Sequence, residues 1–174
     1  FTLGNSSDAF LILRAQEQGL SVVGILALLI AFNAVYAFLS APLGALSDRL
    51  GRRRLIVGGW LLYALIYLGF ATATGPLAIG LLFILYGVYY AAAEGAGKAL
   101  VADLVPPDQR GTAYGIYHGV VGLMALPASL LAGVLWQGIG TWTGLGPGAP
   151  FAAGALLALA ATAVLLLRWR GQTA

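Results

Sequence analysis

Residues 44–55 read GALSDRLGRRRL. The stretch holds Asp48, Arg49, Arg52, Arg53 and Arg54, in a chain of 174 residues with only nine Lys and Arg and six Asp and Glu. The sequence on either side is apolar: AFNAVYAFLSAPL at 31–43 and IVGGWLLYALIYLGF at 56–70. A chain that avoids charge elsewhere and gathers it into one short turn marks a place where one apolar helix leaves a membrane and the next enters it.

The whole composition agrees. The chain is 60% hydrophobic and 9% charged, with mean hydropathy +0.91; a soluble domain carries about 25% charge. Unbroken apolar runs favour helices over the alternating strands of a membrane barrel. Six segments can be marked: residues 1 to about 16, Val22–Leu46, Leu55–Ala73, Leu77–Val105, Gly111–Ile139 and Ala149–Leu167. The expected fold is all-α, one domain over residues 1–174 with six transmembrane helices. The chain opens inside an apolar stretch with no initiator Met, so it is expected to be a fragment.

Arginines orient the helices. The turn after segment two carries Arg49, Arg52, Arg53 and Arg54, the turn after segment four Arg110, and the tail after segment six Arg168 and Arg170. Alternation puts all of them on one side, which the positive-inside rule makes cytoplasmic, together with both chain ends. Trp60, Trp136, Trp142 and Trp169 fall near the expected interfaces, where indoles are favoured. The net charge of +3 is therefore read as topology, with no nucleic-acid partner. The chain has no cysteine, which excludes thiolate chemistry. No spacing of metal ligands, nucleotide loop or nucleophile–base pair occurs, so neither an enzyme nor a cofactor is expected. The lone histidine, His118, is read mainly as a packed or hydrogen-bonded residue.

Topology alone explains the arginines, but not the acid and the glycines among them. Gly44, Leu46, Asp48, Arg49, Gly51, Arg52 and Arg53 resemble G-x-L-a-D-r-x-G-r-k/r, the cytoplasmic signature of the major facilitator superfamily between the second and third helices of each six-helix half. ADLVPPDQRGTAYG at 102–115 is similar to the link between helices ten and eleven of such proteins, and NSSDAFLILRA at 5–15 to their helix seven. The resemblance covers essentially the whole chain. It implies a C-terminal half, helices seven to twelve, built as a 3+3 inverted repeat. It also implies alternating-access transport, a bacterial inner-membrane location, and a facing N-terminal half or a second copy of this chain as partner. Asp48, Arg49, Arg52, Arg53, Asp103 and Arg110, with Gly44 and Gly51, form the implied cytoplasmic gate. Asp48 is expected at the start of segment five, and Arg52 or Arg49 at Asp103. The rival reading is a stand-alone or engineered six-helix scaffold that homodimerises.

Polar residues at membrane depth are expensive and face protein or water. Asp8, with Asn5 one turn away, is read as a cavity-facing proton group or, equally, as part of a structural cluster of Asn5, Ser6, Ser7 and Asp8. Tyr86, Tyr90, Glu94 and Lys98 recur every four residues as one helical stripe, and Glu94 precedes Lys98 at ion-pair spacing. This stripe, with Asn33 and Tyr36 of segment two, is the candidate solute cavity, or an internal lock of the bundle. Ser40 shares the face of Asn33 and Tyr36. A carboxylate with a cation one turn away keeps its charge, so Asp8 is the candidate for proton coupling. Few charges and many aromatic walls lean toward export of small amphipathic solutes. Arg14 is read as snorkelling at the outer interface. Gly111, Gly115 and Gly119 form GxxxGxxxG, read as a helix-packing face, and Pro127 as a break in segment five.

Overall fold

The computed structural model describes residues 1–5 and 8–170, with backbone alone for 169–170. A 3-10 turn at Thr2–Gly4 precedes six α-helices: α1 Ala9–Glu17, α2 Val22–Leu50, α3 Arg52–Thr72, α4 Pro76–Asp103, α5 Arg110–Gln137 and α6 Ala149–Arg170. The helices α2 to α6 are long and apolar enough to cross a membrane. Nine residues of α1 reach only about 13 Å, so the first segment is not one continuous spanning helix. The reason is chemical. Asn, Ser and Asp compete with the backbone for hydrogen bonds and prefer helix ends, and Asp8 is the N-cap of α1.

Local sequence sets the other boundaries. Ser21 caps α2, its Oγ accepting from the Gly24 N–H at 3.2 Å. The helix then runs four residues past the expected Leu46 and stops at Gly51, whose φ of +93° suits only glycine. Arg52–Arg54 are good helix formers and open α3 instead of extending the turn. Pro76 occupies the first turn of α4, where its missing N–H costs nothing. Helical structure continues through both Pro42 and Pro127, so Pro127 does not interrupt α5.

α4 lies against α2 on one side and α3 on the other; α3 continues onto α6, and the 3-10 turn packs on α5 and α6. The core is aromatic. Tyr63, Tyr67, Phe70, Phe83, Tyr86 and Phe151 are all fully buried, and Tyr63 stacks on Tyr67 with centroids 4.0 Å apart. Close helix approach is made by glycines that no motif pointed to. A Cβ on Gly87 of α4 would sit 2.8 Å from the Phe32 carbonyl oxygen of α2, and one on Gly59 of α3 would lie 2.9 Å from the Ala93 Cβ of α4. By contrast, Gly44, Gly111, Gly115, Gly119 and Gly122 have nothing within 4 Å. The GxxxGxxxG face is therefore bare rather than packed within this chain. The two least covered spanning helices are α2 and α5.

Candidate functional site

Two polar clusters sit along α4. In the first, Tyr86 donates its hydroxyl hydrogen to Asp8 Oδ1 at 2.9 Å. This joins the start of α1 to the middle of α4 and leaves the Asp8 side chain without a capping bond to its own helix. Asp8 is exposed while Tyr86 is fully buried, so the aspartate faces open space from a rigid anchor. Among the described residues Asp8 has no ion-pair partner. Asn5 is not its helical neighbour. It lies on the other side of the break, with Oδ1 3.4 Å from the Tyr63 hydroxyl, which also donates to Gly4 O at 2.9 Å. Ser6 and Ser7, the rest of the expected cluster, lie outside the described residues.

The second cluster is eight residues further along α4, about 12 Å at helical rise. Glu94 Oε1 accepts from Lys98 Nζ at 2.7 Å, and Oε2 from the Tyr36 hydroxyl of α2 at 2.7 Å. Side-chain exposures of 33% for Glu94 and 41% for Lys98 mean that solvent screens the pair. A helical i,i+4 pair of this kind contributes about 0.3–0.5 kcal/mol. The Tyr36 bond to an ionised acceptor is the stronger tie, about 1.5–3 kcal/mol.

Tyr90 connects the two clusters. Its ring meets Tyr86, Phe32 and Tyr36 edge-on at 5.0, 5.3 and 5.9 Å. The result is an aromatic wall with one carboxylate at the near end and a paired carboxylate at the far end. Asn33 is exposed and donates to Leu29 O of its own helix at 2.8 Å, and Ser40 likewise donates to Tyr36 O. Neither is drawn into the clusters. On the α5 side, Tyr114 donates to Lys98 O at 3.2 Å. His118 is exposed, with its ring edge-on to Tyr117 at 5.1 Å, so it is not the packed residue expected. Among the described residues no group of three His, Cys, Asp or Glu could hold a metal ion.

The basic turn is partly as anticipated. Arg52 pairs with Asp48 at 2.8 Å and, through Nε, with Asp103 at the end of α4. Its Nη1 also donates to Ser47 Oγ at 3.2 Å, and Ser47 is buried. One guanidinium thus joins the ends of α2, α3 and α4. Among the described residues Asp48 makes no ion pair or hydrogen bond with the start of α5. It belongs to the Arg52 pair, with 63% of its side chain exposed. Arg110 is exposed on the first turn of α5 and, among the described residues, pairs with none of these acids. Gly44 faces open space and brings no helix close.

Arg14 was misjudged by its sequence position. It is buried, not snorkelling. Nε donates to Phe70 O at 3.0 Å, Nη2 to Ala73 O at 3.1 Å, and Nη1 pairs with Glu17 at 2.6 Å. It therefore fastens α1 to the C-terminal carbonyls of α3. Gln18 adds a tie by accepting from the Gly75 N–H at 2.9 Å. The i,i+3 spacing of Arg14 and Glu17 was the available signal for a held rather than a free arginine. Trp60 is likewise a packing residue, stacked on Phe1 at 4.7 Å. The side chain of Trp169 lies outside the described residues.

The family model described as Major Facilitator Superfamily matches residues 3–174. An uncharacterized MFS-type transporter of Methanocaldococcus jannaschii is 41% identical over 172 residues, 95% of this chain and 42% of the relative. The MFS antiporter QDR3 of Candida albicans is 32% identical over 96 residues, 54% of this chain and 14% of the relative. The puromycin resistance protein pur8 of Streptomyces alboniger is 36% identical over 95 residues, 54% of this chain and 19% of the relative. The chain thus spans less than half the length of these relatives. No solved structure matches it significantly. The matched family consists of transport proteins rather than enzymes, and the apolar helices make the chain an integral membrane protein. With the family match running over nearly the whole sequence, the chain belongs to the major facilitator superfamily.

Proposed function

We propose that the chain is the C-terminal six-helix half of a secondary transporter, and that α4 carries the wall of its solute cavity. The observation that carries this reading is the placement of the polar side chains. In a chain with 9% charge, Asp8, Tyr36, Tyr90, Glu94 and Lys98 line one continuous aromatic and acidic face that stays partly open. A 3+3 repeat is supported by the packing. Exchanging the first segment with α4, α2 with α5 and α3 with α6 maps the α2–α4 contact onto that between α5 and the 3-10 turn, and leaves the α3–α6 contact in place.

The facing partner is a second six-helix unit, either an N-terminal half or another copy of this chain. The thin coverage of α2 and α5 and the bare glycine ridge at 111–122 favour such a partner. The arginine-bearing ends face the cytoplasm. The Asp48–Arg52–Asp103 group holds the inner ends of α2, α3 and α4 together as part of the inner gate. The transporter exports small amphipathic molecules against protons, with Asp8 as the proton group and Glu94 and Tyr90 on the solute. The relatives named as an antiporter and as a puromycin resistance protein support that direction.

The test is transport in vesicles by the transporter that contains this chain, under an imposed pH gradient. Asp8→Asn should abolish gradient-driven accumulation and spare solute exchange, while Glu94→Gln should weaken solute binding. Unchanged gradient-driven transport in Asp8→Asn would sink the assignment and leave Asp8 as the anchor of Tyr86.

A further inference from the structure

The gate uses only part of the basic turn. An open cleft of about 610 Å³ lies at this end of the bundle, lined by residues 47–54 with Leu100 and Asp103. That is within the ~300–1,000 Å³ of ordinary small-ligand sites. Four arginines line it against two acids, and both acids are engaged by the same guanidinium, that of Arg52. Arg49 and Arg54 are exposed and, among the described residues, pair with no carboxylate. Arg53 lines the same wall. The cleft therefore keeps an excess of positive charge that the gate does not neutralise. The exposed side chain of Leu50, together with Leu100, adds apolar surface. Guanidinium groups bind phosphate oxygens in pairs, and a basic pocket at the membrane surface suits a phospholipid head group.

We infer that this cleft is a binding site for a phosphate-bearing anion, supplied by the head group of an anionic phospholipid of the adjacent leaflet. Arg49 and Arg54 hold the phosphate, and Leu50 and Leu100 meet the start of the acyl chains. The Asp48–Arg52–Asp103 group forms the back of the site. Occupancy then adds a lipid to the joint between α2 and α3. The inference needs only that the turn lies at a membrane surface, and it stands or falls separately from solute transport.

Native mass spectrometry of the purified protein, titrated with phosphatidylglycerol and with phosphatidylcholine, tests it. The expected result is a bound phosphatidylglycerol that phosphatidylcholine does not replace. The Arg49→Gln/Arg54→Gln double variant should bind it about 30-fold more weakly, from two surface arginine contacts. Arg168→Gln, a charge outside the cleft, should leave binding unchanged and serves as the control for bulk attraction. Millimolar inorganic phosphate should compete only weakly. Phosphate that binds without lipid, with the same dependence on Arg49 and Arg54, would overturn the lipid assignment in favour of free phosphate. Equal binding of both lipids, or equal losses in the Arg49/Arg54 and Arg168 variants, would overturn the site itself.

Discussion

Replacing Arg14 with methionine removes the fastening between α1 and α3 while keeping an apolar stem of similar length. The native guanidinium donates to the Phe70 carbonyl of α3 at 3.0 Å and to the carbonyl of its C-cap residue Ala73 at 3.1 Å, with a longer bond to Ala71 O at 3.5 Å, and pairs with Glu17 at 2.6 Å. A hydrogen bond from a charged donor is worth about 1.5–3 kcal/mol. Here the loss also strands the last carbonyls of α3 in an apolar surround. Glu17 is 37% exposed, so it rehydrates, and its share of the loss is small. The expected cost is about 3–6 kcal/mol, from the two charged-donor bonds to carbonyls. Arg14→Lys keeps the charge but not the planar fork, and should fall between native and methionine. Glu17→Gln should cost less than about 1 kcal/mol. Reversible unfolding in micelles, followed by helix content, measures all three. A loss below about 1 kcal/mol for Arg14→Met would show that the arginine reaches lipid head groups and that the α3 cap is not a stabilising feature.

Two glycine substitutions should behave oppositely. Gly87→Ala drives a Cβ to 2.8 Å from the Phe32 carbonyl and should destabilise the bundle by about 1–3 kcal/mol in the same unfolding assay. Gly115→Ala meets nothing within 4 Å and should leave the chain's own stability unchanged or raised by up to about 1 kcal/mol, while weakening association with the proposed facing unit in a pull-down or energy-transfer assay. Single cysteines at Asp108 and Thr143, both exposed, should label from opposite faces of oriented vesicles, and labelling from one face would overturn the topology. Tyr36→Phe removes the α2 donor to Glu94 and should lower solute affinity and also stability, the latter by about 1.5–3 kcal/mol; an unchanged affinity would remove Tyr36 from the cavity.

The membrane class, the helices α2 to α6 and the charged turn were legible because hydropathy and arginine placement are local properties of the chain. Glu94 and Lys98 were legible as well, because a four-residue spacing fixes their geometry on any helix. Asp8 with Tyr86 and Tyr36 with Glu94 were not. They join residues 78 and 58 positions apart, and a sequence does not state the rotation of one helix against another. The same limit explains the glycines. GxxxGxxxG at 111–119 marks a face that permits close approach, but Gly59 and Gly87 are the ones that meet a neighbour within this chain. The first segment was misread for a local reason. Asn5, Ser6, Ser7 and Asp8 read as a polar cluster within a spanning segment, although those residue types prefer helix ends, and Asp8 starts one. Asp48 was assigned to α5 because a helix N-terminus attracts a carboxylate. A guanidinium four residues away offered a nearer partner.

On the proposed function, the face bearing Tyr36, Glu94 and Lys98 lines a cavity that opens in turn to each side of the membrane. Asn33 sits on α2 beside this face and is exposed, about 16 Å along the helix from Val22 and about 25 Å from Leu50. The direct measurement is the reaction of an Asn33→Cys thiol with a charged, membrane-impermeant reagent. The reagent is applied separately to each side of sealed vesicles holding the transporter that contains this chain. The account predicts reaction from both sides, solute protection on both, and a shift toward the cytoplasmic side when Asp103→Asn releases Arg52. Reaction from one side only, indifferent to Asp103→Asn, or no reaction except with a lipid-soluble reagent, would contradict it.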